Sequence, residues 1–357
     1  WNYGMNYSMR YLLSWENSTG RKHPALKIKE LGQSLNFPLD FTGITFGDND
    51  GWHPGCFFFM LAKRMNQPGA AMNAAAYLTD LGGSLHKDVK KTRANGGDLL
   101  YAADFIPTAA EMAKLKKDHT KTKTPVARVY KGMDWASFAD DEAFPSLRMA
   151  VRGGSSGGGG HGMSDLLSFR CRVNGELMIT DQQDGGYMST TFTKRADELY
   201  GRSIASKSTL FVDGLGPNTT GTCDKTEVVK GNDVLGIRVD GSHVYLVRWK
   251  DLFIGRLCIL VENAYWLVID RVQGVSEVDN HWAESRFHTL AESKSGKDWV
   301  SLKSGKERAM MTFAALGKGI LTQATGMPSQ PAVKPTTIYR WTCAEASPDN
   351  LQVAAIN

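Results

Sequence analysis

Between residues 153 and 169 the chain reads Gly153-Gly154-Ser155-Ser156-Gly157-Gly158-Gly159-Gly160-His161-Gly162-Met163-Ser164-Asp165-Leu166-Leu167-Ser168-Phe169. Six glycines in eight residues free the backbone for positive φ angles and for close approach to a bulky ligand. They deliver one histidine, the side chain type that exchanges a proton near neutral pH. The Leu-Leu-x-Phe stretch behind it predicts a strand with a buried face, which sets His161 at the rim of a sheet. Two readings stand on these residues alone: an imidazole that does chemistry, or a loop histidine that caps a strand. A second candidate is the polar loop Phe46-Gly47-Asp48-Asn49-Asp50-Gly51-Trp52-His53, in which Trp52 and His53 offer an aromatic face and an imidazole for stacking.

The elements that must position these groups fall into two kinds. Residues 1–120 read helical. Tyr7, Tyr11 and Trp15 recur at helical spacing with Leu12 beside them and predict a packed apolar stripe, closed by the turn residues Asn17-Ser18-Thr19-Gly20. A second helix is expected over 56–65, announced by Pro54-Gly55 and closed near Asn66-Gln67-Pro68, and a third over 70–81. The charged stretch 114–124, ending at Pro125, reads as a linker. After it the period becomes two, with strands expected at 126–130, 147–152, 169–173, 176–180, 209–212, 235–239, 244–249, 257–261 and 265–269. Asp213-Gly214 and Asp240-Gly241 are turn dipeptides. So many short strands with such turns predict a stacked antiparallel β-sandwich.

With 357 residues, 42% apolar and 22% charged, the chain is long enough for two domains of ordinary composition. No window approaches the ~20 uncharged apolar residues of a membrane span. The greasiest stretch, 252–268, is interrupted by Arg256 and Glu262 and reads as sheet core. The net charge of +5 leans towards an acidic partner. Neither a concentrated basic face nor a nucleic-acid motif is present, which turns the expectation from nucleic acid to an acidic polysaccharide. The run from Lys114 to Lys121 reads as a solvated face. Cys56, Cys171, Cys223, Cys258 and Cys343 show neither metal spacing nor a disulfide framework. The first residue is Trp1, with no initiator Met and no signal peptide, which reads as a piece of something longer.

Taken together, the motifs resemble a known family. Trp1-Asn2-Tyr3-Gly4, Phe46-Gly47-Asp48, Leu61-Ala62-Lys63, the His161–Phe169 segment, Asn174-Gly175-Glu176, Asp181, Tyr200-Gly201-Arg202-Ser203 and Ser208-Thr209-Leu210-Phe211-Val212-Asp213-Gly214 occur in an order similar to that of the heparinase II/III-like polysaccharide lyases. That group includes alginate lyases and is related to uronyl C5 epimerases. The resemblance implies an α+β multidomain fold: the C-terminal part of an incomplete α/α toroid over residues 1–120, then an antiparallel β-sandwich over 126–357. It also implies a secreted or periplasmic protein that cleaves a uronate-containing polysaccharide by β-elimination. That reaction requires the C5 carboxylate to be neutralised, a base to take the C5 proton, and an acid to protonate the leaving O4.

By resemblance, Tyr3 matches the family's catalytic tyrosine, with Tyr7 one turn on as the fallback, and His161 matches the catalytic histidine on the sandwich side. A phenol suits proton transfer when cationic neighbours favour its anion. Tyr7, Trp52, His53, Tyr187, Tyr200 and Arg202 are further candidates for sugar contacts, with packing roles equally open for Tyr187, Tyr200 and Arg202.

Two departures from the family pattern stand out. Relatives often carry zinc on a second histidine, an aspartate and a later histidine. These positions here are Met163, Asp181 and Lys207, so no metal cofactor is expected, and a Lys207–Asp181 ion pair is expected to replace it. The Asn and His that grip the uronate carboxylate in the family would lie before Trp1. The expected partners are therefore an acidic polysaccharide and an upstream helical segment of the same protein, without nucleic acid or membrane. A C5 epimerase and a non-catalytic polysaccharide-binding fragment are the competing readings.

Overall fold

The computed structural model describes residues 2–47, 56–78, 123–156, 161–218, 220–245, 252–274 and 280–357, with isolated positions between 108 and 117 and residue 276. The chain divides into two compact units. One comprises Trp1–Gly43, Asp50–Thr124 and Asp141–Pro145; the other comprises Ile44–Asn49, Pro125–Asp140 and Ser146–Asn357.

The first unit is helical where it is described. Helix α1 (Asn2–Thr19) stops at Gly20, whose φ of +64° lets its N–H reach back to the Glu16 carbonyl. After α2 (Lys29–Gln33) and α3 (Asn36–Asp40), helix α4 (Cys56–Arg64) carries Phe57-Phe58-Phe59-Met60-Leu61-Ala62, all buried. A helix apolar all round must lie at the centre of its layer. Its last turn is basic, suiting the negative end of the helix dipole, and Arg64 pairs with Glu16 of α1. Asn66 at φ 51° ends the turn, and Pro68 opens α5 (Pro68–Leu78).

The expected apolar stripe of α1 is on the other side of the helix. Tyr7 and Tyr11 are 60% and 58% exposed and Trp15 is 40% exposed, while Met9, Leu12 and Leu13 are buried. At ~100° per residue the two rows face opposite ways. The aliphatic row joins the core of α3, α4 and α5. The rings of Tyr11 and Trp15 instead stand edge-on to His23, with centroids 5.4 and 5.3 Å away.

The second unit holds three antiparallel sheets. Strands β1 (Val126–Tyr130), β2 (Trp135–Ala139), β3 (Leu147–Arg152), β4 (Phe169–Val173) and β5 (Glu176–Ile179) form a five-stranded meander. An eight-stranded sheet has the order β12 (Glu292–Ser295), β13 (Trp299–Ser304), β14 (Glu307–Ala315), β17 (Asp349–Ile356), β10 (Tyr265–Gln273), β9 (Phe253–Val261), β8 (Val234–Asp240), β7 (Lys225–Lys230). A four-stranded sheet runs β15 (Gly319–Thr325), β16 (Thr337–Cys343), β11 (Ala283–Thr289), β6 (Leu210–Val212). One hydrophobic core draws on all three, with Phe138 and Phe169 from the first, Trp266 and Met311 from the second, and Phe287 and Trp341 from the third. Each such side chain contributes roughly 2 kcal/mol by burial. The sandwich expected from the sequence is present.

At its centre lies an ion pair. Arg256 of β9 and Asp270 of β10 are direct partners in the strand register and both are buried. The guanidinium donates to both carboxylate oxygens at 2.7 Å and, through Nη1, to the main-chain oxygens of Leu167 (2.5 Å) and Ser208 (2.9 Å). Arg256 thus faces inward and ties the sandwich to the segment behind His161.

Two local expectations differ from the structure. Val244 and Tyr245 lie in a short helix, α6 (Ser242–Tyr245), and not in a strand; residues 246–249 lie outside the described residues. Asp240 Oδ1 accepts from the Ser242 N–H and hydroxyl and turns the chain into that helix. Strand β4 starts at Phe169, so Leu166 and Leu167 precede it. Both are buried because Leu167 takes φ 58°, which breaks the alternation of a strand.

Candidate active site

His161 is exposed and sits in a turn eight residues before β4. Its Nδ1 is 3.4 Å from the Tyr187 hydroxyl, and the Phe192 ring stands edge-on to it with centroids 5.3 Å apart. Tyr187 and Phe192 contact each other at 4.8 Å, and they are 59% and 55% exposed. An imidazole thus stands beside a hydroxyl and two exposed aromatic rings. Such rings stack on the apolar face of a sugar ring.

The loop is held by its backbone and by buried charge. Asp165 accepts from Arg152 Nε at 3.0 Å and from the Gly47 N–H at 3.3 Å. That bond brings the Phe46-Gly47 segment against the loop, where Gly47 (φ +73°) faces the His161 carbonyl. The Ser164 N–H donates to the Arg202 carbonyl, the Leu167 N–H to the Arg152 carbonyl, and Thr209 Oγ1 to the Leu166 carbonyl. Gly153 and Gly154 serve the protein itself: a Cβ at either would strike Thr226 Oγ1 and the Asp134 carbonyl, or the Met133 carbonyl. Gly157 to Gly160 lie outside the described residues.

The other candidates separate. Tyr200 donates its hydroxyl to the Ala205 carbonyl at 3.2 Å, and burial raises its pKa. Arg202 is buried, and its carbonyl receives Ser164. Both shape the turn behind His161. Tyr7 is exposed on α1. Tyr3 lies in the first turn of α1; its side chain, like Trp52 and His53, lies outside the described residues. Phe192 is the site residue that sequence reasoning missed. Its Thr190-Thr191-Phe192-Thr193 context gives no periodic signal, and 31 positions separate it from His161 along the chain.

The Met163–Asp181–Lys207 constellation differs from the expected ion pair. Asp181 Oδ2 receives Arg170 Nε and Nη2 at 3.2 and 3.1 Å, and Oδ1 receives the Ser208 N–H at 2.7 Å. Lys207 Nζ instead donates to the Gly201 carbonyl at 2.6 Å and lies 3.6 Å from Met163 Sδ. The guanidinium wins the carboxylate because its fork offers two donors to one oxygen at fixed geometry.

Residues 127–340, more than half of the chain, match a family model described as heparinase II/III-like, C-terminal. The chain belongs to the heparinase II/III-like family. Its structure resembles that of a heparinase III over 92% of this chain and 55% of that one, with a TM-score of 0.55 and 13% identity. It also resembles a heparan sulfate lyase from Pedobacter heparinus, over 89% of this chain and 44% of that one, with a TM-score of 0.56 and 14% identity. A second heparinase III structure gives 0.56, with 13% identity over 91% of this chain and 53% of that one. The chain therefore spans about half the length of these solved structures. At such identity the likeness speaks for the fold, the end of a helical toroid followed by the family's β-sandwich. Among curated proteins no sequence matches the chain. Among the described residues, no helix is long and apolar enough to cross a membrane.

Proposed function

We propose that this heparinase II/III-like chain is the C-terminal part of a polysaccharide lyase that cleaves a uronate-containing chain by β-elimination. The observation that carries the proposal is the exposed His161 imidazole, set against the Tyr187 hydroxyl and beside the exposed Tyr187 and Phe192 rings, in a chain of this family. In the reaction proposed, Tyr3 removes the C5 proton or donates one to the leaving O4, and His161 supports the charge that develops on the substrate or shares the proton abstraction. Tyr187 and Phe192 offer the stacking surface for a sugar next to the cleaved bond. A glycosaminoglycan is the first substrate to try, in keeping with the named neighbours, and an alginate-like uronan the second. The uronate carboxylate needs neutralising groups beyond these residues, so full activity is assigned to the protein with an upstream helical segment present. Such a polysaccharide would be met outside the cytoplasm, in the secreted or periplasmic space.

The test is a panel of uronate polymers incubated with the protein and followed by the ultraviolet absorbance of the conjugated unsaturated uronate. One polymer should produce it, and Tyr3→Phe and His161→Ala should each abolish it. Undiminished turnover in both variants overturns the site. Exchange of solvent deuterium into C5 without absorbance identifies an epimerase, and binding without either identifies a polysaccharide-binding module.

A further inference from the structure

Lys207 is wholly buried, and its side chain is among the largest fully enclosed in the molecule. A lone ammonium in such a place is expensive unless it serves a fixed set of partners. Its partners are the Gly201 carbonyl at 2.6 Å and the Met163 thioether at 3.6 Å; burial lowers its pKa, Arg170 adds to that, and the charges of Asp181, Asp165 and Asp184 oppose it and favour the ammonium. Each contact has a purpose in the loop. Gly201 belongs to the turn whose next residue, Arg202, receives the Ser164 N–H. Met163 stands two residues after His161. Asp165 holds Arg152 and Gly47, Asp181 holds Arg170, and Asp184 receives the Gly201 and Ser329 N–H groups. Three buried carboxylates thus meet two guanidiniums, and Lys207 supplies the third positive charge.

The same residues do not fit the zinc that the family resemblance implies. Zinc takes three or four N, S or O donors, each with a lone pair to give. Both Asp181 oxygens already accept hydrogen bonds, the ammonium has no lone pair, and a thioether is a soft ligand suited to other metals. Among the described residues no three His, Cys, Asp or Glu side chains gather as a metal site.

We propose that Lys207 is the structural cation of the His161 loop: its ammonium, in place of a metal ion, clasps Met163 to Gly201, balances Asp165, Asp181 and Asp184, and so positions the imidazole. The inference concerns the support of the loop and stands whichever polymer, or none, is cleaved. It gives Lys207 the part of a positioning residue, acting through Met163 and the Ser164–Arg202 bond.

The experiment compares the wild type, Lys207→Met and the double variant Met163→His/Lys207→His, each with and without added zinc. Thermal unfolding, zinc content after dialysis against a weak chelator, and hydrogen exchange at the Ser164 amide are read. The wild type should retain no zinc and show no shift in Tm with the metal. Lys207→Met should unfold at lower temperature and exchange the Ser164 amide at least tenfold faster. The double variant should bind about one zinc per chain, and only then regain both properties. One zinc retained by the wild type, or a Lys207→Met variant with unchanged Tm and exchange, overturns the proposal. A double variant that recovers fully without metal also overturns it, because the loop then needs no cation.

Discussion

The Tyr187 hydroxyl stands 3.4 Å from Nδ1 of His161. The contact engages one of the two ring nitrogens, and the tautomer decides which partner donates. At this length the bond is weak, towards the low end of the usual 0.5–1.5 kcal/mol. Tyr187→Phe keeps the ring contact with Phe192 and should lower kcat about two- to fivefold with KM little changed. Steady-state kinetics on the first active polymer decides it; an effect confined to KM would make Tyr187 a binding residue only.

Phe192→Ala removes the edge contact to His161 and the contact to Tyr187 together. Aromatic pairs of this kind are worth about 0.5–1.5 kcal/mol each. With Phe192 more than half exposed, Tm should move little while kcat/KM falls roughly tenfold or more. Equal activity in the variant would remove Phe192 from the site.

The Arg256–Asp270 pair should behave oppositely. Asp270→Asn leaves the guanidinium buried and without its charge partner, at a loss of about 3–5 kcal/mol. Urea unfolding reads this directly. Because Arg256 also holds the Leu167 and Ser208 carbonyls, amides of the 164–168 segment should lose exchange protection with it.

Acid should weaken the sandwich through His288. This ring is buried, with Nδ1 against Thr336 Oγ1. Burial chiefly, with the Lys207 charge adding and Asp181 opposing, pushes its pKa down to about 3. In the unfolded chain the ring protonates at about 6.5, so below that pH the unfolded state binds the extra proton. Stability is therefore complete above about pH 6.5 and declines as pH falls towards 3, by on the order of 3 kcal/mol at about pH 4.5. Urea midpoints at pH 7 and at about pH 4.5 should differ, and His288→Gln should shrink the difference. A constant midpoint sinks the assignment.

Three thiols are closed to chemistry in the native state. Cys171, Cys223 and Cys258 are buried, which pushes their thiols up to about 12. A thiol reagent at neutral pH should leave these three unmodified until denaturant is added, as peptide mass spectrometry would show.

Strand β10 was legible because alternation survives there, with Trp266, Val268, Asp270 and Val272 buried in turn, whereas β2 and β7 went unread. Later strands such as β14 alternate as cleanly, but through Ala309, Met311 and Phe313, without the β-branched residues that mark a strand. Val244 and Tyr245 misled because they carry strand-forming side chains, while the capping Asp240 two residues before Ser242 was the stronger signal. Period alone could not choose between the aromatic and aliphatic rows of α1; packing against α4 did. Asp181 was expected to pair with Lys207 and takes Arg170 instead. Counting outward from the Asn174-Gly175 turn would set Arg170 opposite Ile179; the β-bulge between Cys171 and Arg172 moves it on towards Thr180 and Asp181, and a regular register hides that. Phe192 had no local signal, since only the tertiary fold brings it to His161.

The Arg256 guanidinium grips the segment behind His161 by the peptide oxygen of Leu167, and that of Ser208 beside it. Every amino acid supplies such an oxygen, so the anchorage makes no demand on which side chains occupy the segment. Residues around the imidazole are then free to vary while the ring keeps its post. A scaffold fastened in this way can hold its form while only about one residue in eight still agrees with a structural neighbour.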